Sequence, residues 1–423
     1  MIDIVCVYKT NPEGIYTAEW VNKLHSSIKK HCNLPYKFSC LTDSDEVIPG
    51  KIALQKDLRG WWSKLELFTK GLFTGPTLYL DLDTVISGSI DTIINKLISE
   101  NKFTMIRGKS KRSSSCIMYW NGDYSYIYKK FSKNKHKIMS TYITREQYGD
   151  QAFISEQTKH VYLQDVVGSS EVDYESNIRR LGNRNAKIIL FAKPNNKPHT
   201  SFNHMVVKNW TMLGEDFNND VEDRHGWTWP KHDKFCWKVM RKHPDLPKKM
   251  SRYVTKTGAV LQAGGNCGYY AEAYSKIFNK VITLEPDLLN FYCLLENTKK
   301  CKNVVPFRAA LGDKYDMIQM TSPKTNNVGM HYIDGAGDIP QITIDSLNIK
   351  HLDLIHLDIE GYELFALKGA EETIRRCKPT VALEYNKLAD KYGYTMYDLN
   401  KWFTDRNYVN HSRHESDFVF IPK

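Results

Sequence analysis

The sequence predicts an α/β protein of two domains, and three observations lead to this prediction. The chain has 423 residues, which is more than one hydrophobic core usually serves. Short apolar segments alternate with helical patterns through residues 1–210, as expected for a mainly parallel sheet with helices on both faces. After a tryptophan-rich segment, the same alternation restarts at Gly258 and continues to the last residues.

The first predicted domain, residues 1–210, opens with the buried strand IDIVCVY. Residues 16–32 have helical spacing and are followed by a second strand at YKFSCLTD. The elements that follow are the helix WWSKLELFTKGL, the strand TLYLDLDTVI, the segments FTMIRG and SSSCIMYW, a helix over 123–133 and a helix that opens with GDQAF.

Residues 211–250 are predicted to be a packed connecting segment. They hold Trp227, Trp229 and Trp237, whereas a free linker would be rich in glycine and serine. Residues 251–423 form the second predicted domain, a doubly wound sheet of Rossmann type. Its strands are predicted at AVLQAG, KVITLEP, VVPFRAAL, ITIDSL, LDLIHLDI, PTVALEY and FVFI, with helices up to Phe278, over 287–299 and over 362–376.

The composition is that of a globular protein, with 41% hydrophobic and 25% charged residues. No run is long and apolar enough to predict a transmembrane segment, and the first residues lack the layout of a signal peptide. The nine cysteines are scattered without CxxC pairs, which argues against disulfide frameworks and zinc knuckles. We therefore expect a cytoplasmic protein; its many Lys, Asn and Tyr residues suggest an AT-rich genome such as that of a virus, and then the host cytoplasm.

The net charge of +11 is concentrated in one region. Residues 102–137 hold ten basic residues and a single acid, Asp123. Such a region attracts polyanions, for example an anionic glycan, an acidic lipid surface or nucleic acid. The alternative is a solvated helix face next to a loop, and the sequence leaves both open.

The stretch VLQAGGNCGYY places three glycines between a predicted strand and a predicted helix. A turn of this kind lets the backbone approach a ligand closely. The following strand ends at Glu285, about twenty residues later, where an acid pairs with ribose hydroxyls. These features predict a ligand of the adenosine type, and the lack of a strict GxGxxG counts against a dinucleotide.

The segment LDLIHLDIEGYELFALKGA indicates which ligand of the adenosine type is expected. Together with VLQAGGNCGYY, LEP, Asn297, AALGD and PTVALEYN, it resembles the FkbM family of S-adenosylmethionine-dependent methyltransferases over residues 255–390. The resemblance implies methylation of hydroxyl oxygens, often on sugars. It also implies roles by position: cofactor binding for Gln262, Gly264, Gly265, Asn266, Gly268, Glu285, Ala310, Leu311 and Asp358, and positions facing the sulfonium and the acceptor for Asp358 and Glu360.

This sequence departs from the family pattern at two positions. Gln262 replaces the acid of the first strand, so a bond to the ammonium of the cofactor would lose its charge-assisted part. His356 stands where a lysine is expected, two residues before Asp358. It is a candidate general base for the acceptor hydroxyl, or else a buried histidine satisfied by hydrogen bonds.

In the first domain, TLYLDLDTVISGSID places Asp81 and Asp83 at the end of a predicted strand, on one face. Two carboxylates so spaced can hold one divalent cation, which bridges a diphosphate and stabilises the charge on a leaving nucleoside diphosphate. The preceding helix carries a cation, Lys64.

With RGWWSKLELF, GDQAF and KPH, this stretch resembles glycosyltransferases of the GT-A fold and DxD type over residues 1–210. The resemblance implies Mn²⁺ or Mg²⁺ on Asp81 and Asp83, and a catalytic or acceptor-side position for Asp150. It further implies donor-binding roles for Tyr8, Thr10, Lys64, Asp81 and Gln151. Ala192 stands where relatives often have a metal-binding histidine, and His199 is the candidate replacement.

The sequence thus predicts a bifunctional transferase that uses a nucleotide-sugar donor and a glycan acceptor, with metal-dependent sugar transfer in the first domain and O-methylation of a glycan in the second. Two alternatives remain open at this level. One is a non-catalytic or virion-associated protein that retains both folds, which Gln262, His356 and Ala192 would support. The other is an enzyme that modifies nucleic acid, which rests on the basic region alone.

Overall fold

The computed structural model describes residues 1–11, 16–108, 112–142, 149–181, 185–191, 197–198, 201, 203–322, 324 and 326–423. The chain divides into two compact units. Unit 1 comprises residues 1–201 and 205–214, and unit 2 comprises 202–204 and 215–423. The predicted fold class, an α/β chain of two parts that each hold a mainly parallel sheet, is confirmed.

The first part of the chain alternates strands and helices. The strands described there are β1 (Ile2–Tyr8), β2 (Tyr36–Thr42), β3 (Lys51–Ala53), β4 (Thr77–Leu80), β5 (Val85–Ile86), β6 (Thr104–Arg107), β7 (Ser113–Trp120), β8 (Val161–Tyr162), β9 (Val172–Tyr174) and β10 (Ile188–Leu190). The α-helices described there are α1 (Ala18–His31), α2 (Asp91–Glu100), α3 (Ser125–Lys133), α4 (Lys135–Thr141), α5 (Gly149–Gln157), α6 (Leu163–Val167), α7 (Glu175–Leu181) and α8 (His204–Val206).

The main sheet of unit 1 has the order β3-β2-β1-β4-β7-β6-β8. The first four strands are parallel, and β7 is antiparallel to both of its neighbours. Both faces of β1 are buried, with Ile4 and Cys6 in one hydrophobic cluster and Val5 in another. This explains why IDIVCVY is almost wholly apolar, since a parallel strand is covered by helices on both sides.

Two predicted elements of unit 1 differ from the structure. TLYLDLDTVI is not one strand, because β4 ends at Leu80 and a bond from Thr84 N to Asp81 O closes a turn, after which β5 pairs in a second sheet with β10. The helix predicted at WWSKLELFTKGL is a 3₁₀ helix, Gly60–Phe68.

Unit 2 begins with a hairpin and two helices. Its described strands are β11 (Val221–Arg224), β12 (Trp227–Pro230), β13 (Ala259–Ala263), β14 (Lys280–Leu284), β15 (Val304–Phe307), β16 (Ala310–Leu311), β17 (Asp316–Thr321), β18 (Tyr332–Ala336), β19 (Ile339–Ile342), β20 (Leu354–Leu357), β21 (Thr380–Glu384), β22 (Tyr408–His414) and β23 (Asp417–Pro422). Its described α-helices are α9 (Cys236–Lys242), α10 (Leu246–Met250), α11 (Tyr269–Ser275), α12 (Leu288–Thr298), α13 (Glu363–Lys368), α14 (Glu371–Cys377) and α15 (Met396–Thr404).

The main sheet of unit 2 has the order β15-β14-β13-β20-β21-β23-β22. Its strands are parallel from β15 to β21, and β23 is antiparallel to both β21 and β22. Leu261 and Val260 of β13 point into different hydrophobic clusters, so this strand is also covered on both faces. Within the described parts of the chain, no helix combines the length and apolar character that a membrane span requires.

Candidate functional site

The first candidate site lies at the carboxyl ends of β1 and β4. The sheet grows in one direction from β1 through β2 and β3, and in the other from β4 through β7 and β6. Open α/β sheets bind ligands at such a switch point. Tyr8 ends β1, with Thr10 two residues on, and Asp81 directly follows β4. Residues from two distant stretches of the sequence therefore meet at one edge of the sheet.

Asp81 is held by a lysine and a tyrosine. Nζ of Lys64 lies 2.8 Å from Oδ1 of Asp81, and the hydroxyl of Tyr79 donates to the same oxygen at 2.5 Å. Nζ of Lys64 also lies 3.8 Å from Oδ2 of Asp150. Burial lowers the pKa of Lys64, but the attraction of Asp150 and Asp81 outweighs burial and raises this pKa above its ordinary value. The ammonium is therefore a permanent charge beside Asp81.

Asp83 lies in the turn that follows β4 and has a similar pair of partners. Its Oδ2 accepts hydrogen bonds from Nζ of Lys197 at 2.5 Å and from the hydroxyl of Tyr16 at 3.2 Å. Lys197 also donates to the hydroxyl of Tyr16 at 2.8 Å. Burial raises the pKa of Asp83 and Lys197 opposes this effect, while the neighbouring charge of Asp81 adds to it. Each aspartate of the pair thus contacts one ammonium and one phenol.

Asp150 extends this polar cluster from the first turn of α5. Its Oδ2 accepts from the hydroxyl of Ser115 at 2.6 Å, and burial is the main cause that raises its pKa. Gly149, just before it, has a φ of +49°, and a Cβ there would lie 2.3 Å from Nε1 of Trp61. The start of α5 therefore packs directly on the 3₁₀ helix that carries Lys64. Gln151 follows Asp150 and is half-buried.

The remaining residues predicted for this site differ in their surroundings. Tyr8 is buried, and the backbone N–H of Thr10 donates to Oδ1 of Asp43 at 2.8 Å. His199 and Ala192 lie outside the described residues. Among the residues that the structure does describe, no three His, Cys, Asp or Glu side chains form a group that could hold a metal ion. Asp81 and Asp83 nevertheless offer oxygen ligands of the kind that Mg²⁺ and Mn²⁺ prefer.

The second candidate site is a cavity of about 250 Å³ in unit 2. It lies at the carboxyl ends of β13, β14, β20 and β21, where the sheet switches direction between β13 and β20. Residues from the predicted cofactor motif line it, among them Gly264, Asn266, Glu285, Ala310 and Leu311. The structure thus assembles these separate segments around one space.

The turn after β13 requires glycine at Gly264. Its φ is +82°, and a Cβ there would lie 1.9 Å from the backbone oxygen of Asp358. Gly265 is also tightly packed, since its Cβ would lie 2.7 Å from Leu294. Gly268, with a φ of +87°, precedes α11. The ends of β13 and β20 therefore touch through backbone atoms, which only glycine permits.

Asn266 and Glu285 connect this turn to the next strand and to a loop over the cavity. The backbone N–H of Asn266 donates to Oε2 of Glu285 at 2.6 Å, and that of Asp287 donates to Oε1 at 2.8 Å. The side-chain amides of Asn266 and Asn290 both donate to the backbone oxygen of Val328, at 2.9 Å and 2.8 Å. Burial raises the pKa of Glu285 to about 8, with repulsion from Asp287 as a second cause.

Gln262 is fully engaged with the protein. Its Nε2 donates to the backbone oxygen of Gly264 at 2.7 Å, and its Oε1 accepts from the hydroxyl of Thr283 at 2.6 Å. The side chain is 1% exposed. Its amide therefore braces the glycine turn against β14, and the direct contact with the cofactor that the sequence suggested stays a prediction.

Asp358 and Glu360 follow β20 and form an acidic wall with Glu384. Asp358 lines the cavity and is exposed to the solvent inside it. Its pKa is raised well above the ordinary value, first by loss of solvation and then by Glu384 and Glu360. Loss of solvation also raises the pKa of Glu360 to about 8. The side-chain amide of Asn386 donates to Glu360 at 3.2 Å and to Glu384 at 2.9 Å.

The backbone of Glu360 adopts a left-handed conformation, with a φ of 54°, and Gly361 follows with a φ of +91°. Left-handed backbone is uncommon for residues other than glycine and costs about 1–3 kcal/mol. The turn after β20 therefore holds this carboxylate in a strained position that points toward the cavity.

His356 lies within β20 and is 1% exposed. The hydroxyl of Tyr274 is 2.9 Å from its Nδ1, and Oδ1 of Asp417 is 3.3 Å from its Nε2. Of the two interpretations that the sequence left open, the geometry favours a buried histidine with both ring nitrogens bonded. A role as general base stays a prediction.

Sequence reasoning missed one wall of the cavity. Cys236, Val239 and Met240 of α9 line it, and they belong to the tryptophan-rich segment that was predicted to connect the domains. Trp229 anchors this segment, because its Nε1 donates to a buried carboxylate of Asp233 at 2.7 Å. The many aromatic residues of this segment predicted that it is packed, but they did not show which part of the protein it packs against.

The comparisons with known proteins give one family. Residues 263–409 match the family described as methyltransferase FkbM domain. The chain therefore carries an FkbM methyltransferase domain in its C-terminal part, as its motifs predicted. A search of the curated proteins found no match.

Solved structures similar to this chain include the glycosyltransferase GlyE of Streptococcus pneumoniae TIGR4, with 13% identity and a TM-score of 0.35, covering 72% of this chain and 79% of that one. The galactosyltransferase LgtC in complex with donor and acceptor sugar analogues has 14% identity and a TM-score of 0.33, covering 51% and 98%. A SAM-dependent methyltransferase from Aquifex aeolicus has 18% identity and a TM-score of 0.28, covering 44% and 98%.

Proposed function

We propose that the chain is a bifunctional transferase, in which unit 2 methylates a hydroxyl of a glycan with S-adenosylmethionine and unit 1 transfers a sugar from a nucleotide-sugar. Both reactions would take place in the cytoplasm. The observation that carries the methyl-transfer part is the set of acidic side chains that line the cavity in unit 2. Four carboxylates line it, those of Glu285, Asp358, Glu360 and Glu384, and its described lining includes no lysine or arginine.

These acids fit S-adenosylmethionine, because its positive sulfonium and ammonium groups would favour the ionised form of the carboxyl groups around them. We propose that Glu285 accepts hydrogen bonds from the ribose hydroxyls, and that Gly264, Asn266 and Gly268 lie along the methionine part. Ala310 and Leu311, which line the cavity with apolar surface, would contact the adenine. When bound, the cofactor supplies an electrophilic methyl group.

We propose that a carboxylate of the acidic wall accepts the proton of the acceptor hydroxyl. In an O-methylation the hydroxyl oxygen forms a bond to the methyl carbon, the carbon–sulfur bond breaks, and the hydroxyl proton must leave. The ionised form of Glu360 can take this proton, and a pKa raised to about 8 makes it a stronger base than an ordinary glutamate. Asp358 lies beside it and would hold the positive end of the donor. His356, which lies two residues before Asp358, is the second candidate base.

In unit 1 we propose that Asp81 and Asp83 hold Mn²⁺ or Mg²⁺ and that Lys64 contacts the donor phosphates. Their position at the switch point of the sheet supports this assignment. Tyr8, Thr10 and Gln151 are proposed to contact the donor, and Asp150 the sugar or the acceptor. A bound cation would neutralise charge on the leaving diphosphate.

We propose an anionic glycan as the acceptor. α3 ends in a basic turn with Lys130 and Lys133, and none of the residues of α4, which carries Lys135 and Lys137, is buried. This basic surface is exposed to solvent and can approach a polyanion.

The methyl-transfer proposal is tested with labelled S-adenosylmethionine and a panel of anionic glycans. We expect Glu360→Gln to lower the rate of methyl transfer by about 10²–10⁴-fold, the usual contribution of a general base, while binding of S-adenosylhomocysteine stays within a few-fold. Glu372→Gln is the matched control, because this surface residue pairs with Arg375 and does not line the cavity. Equal rates in wild type and Glu360→Gln would contradict the assignment of the base.

The sugar-transfer proposal is tested by incubating the full chain with a panel of nucleotide-sugars and detecting hydrolysis by mass spectrometry. We expect one nucleotide-sugar to be hydrolysed in the presence of Mn²⁺ and to survive when EDTA is added. If none is hydrolysed, the proposal for unit 1 fails, whereas that for unit 2 is unaffected.

A further inference from the structure

The ammonium of Lys197 occupies the position that a divalent cation bound to Oδ2 of Asp83 would take. Its Nζ lies 2.5 Å from Oδ2 of Asp83 and 2.8 Å from the hydroxyl of Tyr16. The side chains of Lys197 and Asp83 are only 13% and 9% exposed, so solvent screens their attraction weakly. A metal ion bound to the same oxygen would lie about 2.0–2.6 Å from it. The ammonium and the ion cannot both take that place.

The lysine at the other aspartate is placed differently. Lys64 is shared between Asp81 at 2.8 Å and Asp150 at 3.8 Å, and its Nζ also lies 3.4 Å from the hydroxyl of Ser115. A cation that approached Asp81 would leave Lys64 the carboxylate of Asp150 as a partner. A lysine displaced from Asp81 would therefore keep a second carboxylate within reach.

We propose that Lys197 competes with the divalent cation for Asp83 and so sets the metal affinity of unit 1. The inference rests on the cation site of the proposed sugar transfer and deepens it. Without metal, the ammonium of Lys197 balances the carboxylate of Asp83. When the ion binds, Lys197 leaves this carboxylate, and its positive charge becomes available to an anion such as a diphosphate.

The test measures Mn²⁺ binding to the full chain by electron paramagnetic resonance, with no nucleotide-sugar present. We expect Lys197→Met to bind Mn²⁺ about tenfold or more tightly than wild type, because the ion no longer has to break a charge-assisted hydrogen bond. Lys197→Arg keeps the charge and should resemble wild type. Lys187→Met is the matched control, since Lys187 forms an ion pair with Glu171 in the same unit.

Asp83→Asn in the Lys197→Met background should remove the increase in Mn²⁺ affinity. This result would show that the increase arises at Asp83 and not in the acidic cavity of unit 2. A second readout needs no mutation. In wild type, Mn²⁺ should increase the reactivity of Lys197 toward reductive methylation relative to Lys187, as measured by mass spectrometry. This keeps the inference testable if Lys197→Met does not fold.

Equal or weaker Mn²⁺ binding by Lys197→Met overturns the inference, as does lower or unchanged reactivity of Lys197 in saturating Mn²⁺. Absence of Mn²⁺ binding in both wild type and Lys197→Met overturns it as well. Competition without hydrolysis of any nucleotide-sugar would confirm the inference and contradict the sugar-transfer proposal, so the two failures are distinguishable.

Discussion

Replacing Glu285 by alanine tests the cofactor site at its most buried carboxylate. Glu285 accepts two backbone hydrogen bonds, from Asn266 at 2.6 Å and from Asp287 at 2.8 Å, and faces the cavity. In the proposed complex it also accepts from the ribose. Each charge-assisted bond of this kind contributes about 1.5–3 kcal/mol, so two such bonds contribute about 3–6 kcal/mol.

Part of this gain is offset by the ionisation of the carboxyl. With a pKa of about 8, Glu285 is mostly protonated near neutral pH in the ligand-free protein. Ionising it at about pH 7 costs about 1.4 kcal/mol, the equivalent of one pKa unit. The net loss in Glu285→Ala is then about 1.5–4.5 kcal/mol, and S-adenosylhomocysteine should bind at least about tenfold more weakly.

The pH dependence gives an independent check. The folded pKa of Glu285 lies above its ordinary value of 4.5, so the protonated carboxyl favours the folded protein below about pH 4.5, and this stabilisation is lost as the pH rises to about 8. An ionised Glu285 binds the ribose better, so the affinity of wild type for S-adenosylhomocysteine should rise about tenfold from about pH 7 to about pH 9. Glu285→Ala should lose most of this dependence.

Titration calorimetry at several pH values measures both effects. Glu272→Ala is the matched control, because Glu272 lies on α11 of the same unit and pairs with Lys276 at the surface. If Glu285→Ala binds within twofold of wild type, or if wild-type affinity does not change with pH, Glu285 does not contact the cofactor as an ionised carboxylate.

Three further predictions concern both units. Gly264→Ala should lower the free energy of unfolding of unit 2 by about 2–5 kcal/mol in chemical denaturation, because the new Cβ would clash with Asp358 and the φ is positive. Gly393 has a φ of +74° and open space around it, so Gly393→Ala should show only the cost of the positive φ. Equal effects of the two substitutions would contradict the clash. Asp83→Asn should abolish most Mn²⁺-dependent hydrolysis of the preferred nucleotide-sugar, and full activity in EDTA would refute the metal role. The fragment 215–423 should bind S-adenosylhomocysteine, while 251–423, which lacks a wall of the cavity, should bind it at least about tenfold more weakly; equal binding would show that α9 is dispensable.

The strands and the glycine turn could be predicted because their signals are local. IDIVCVY is apolar on both faces, and Gly264 and Gly268 adopt backbone conformations that other residues rarely take. The end of β4 could not be read in the same way. In the sequence the alternation of Asp81, Leu82 and Asp83 continues the period of a strand, while in the structure a backbone bond closes a turn at these residues.

The surroundings of individual side chains lay beyond local patterns. Gln262 was predicted to contact the cofactor, and its bond from Thr283 of the neighbouring strand could not be foreseen. Lys197 belongs to the KPH motif, but its contact with Asp83 could not be predicted, because the two residues are 114 positions apart. Such contacts depend on which loops meet at a switch point, and the sequence shows only that two strands end there.

At Glu360, the left-handed backbone lowers the stability of the fold, while the side chain is the proposed proton acceptor. Glycine at 360 would relax the turn after β20, and with it the strain of about 1–3 kcal/mol, while deleting the proposed proton acceptor. A screen for heat-resistant variants would therefore enrich proteins with this substitution that fold better and have lost methyl transfer. Engineering of this domain toward greater robustness should keep residue 360 unchanged and seek its gains elsewhere.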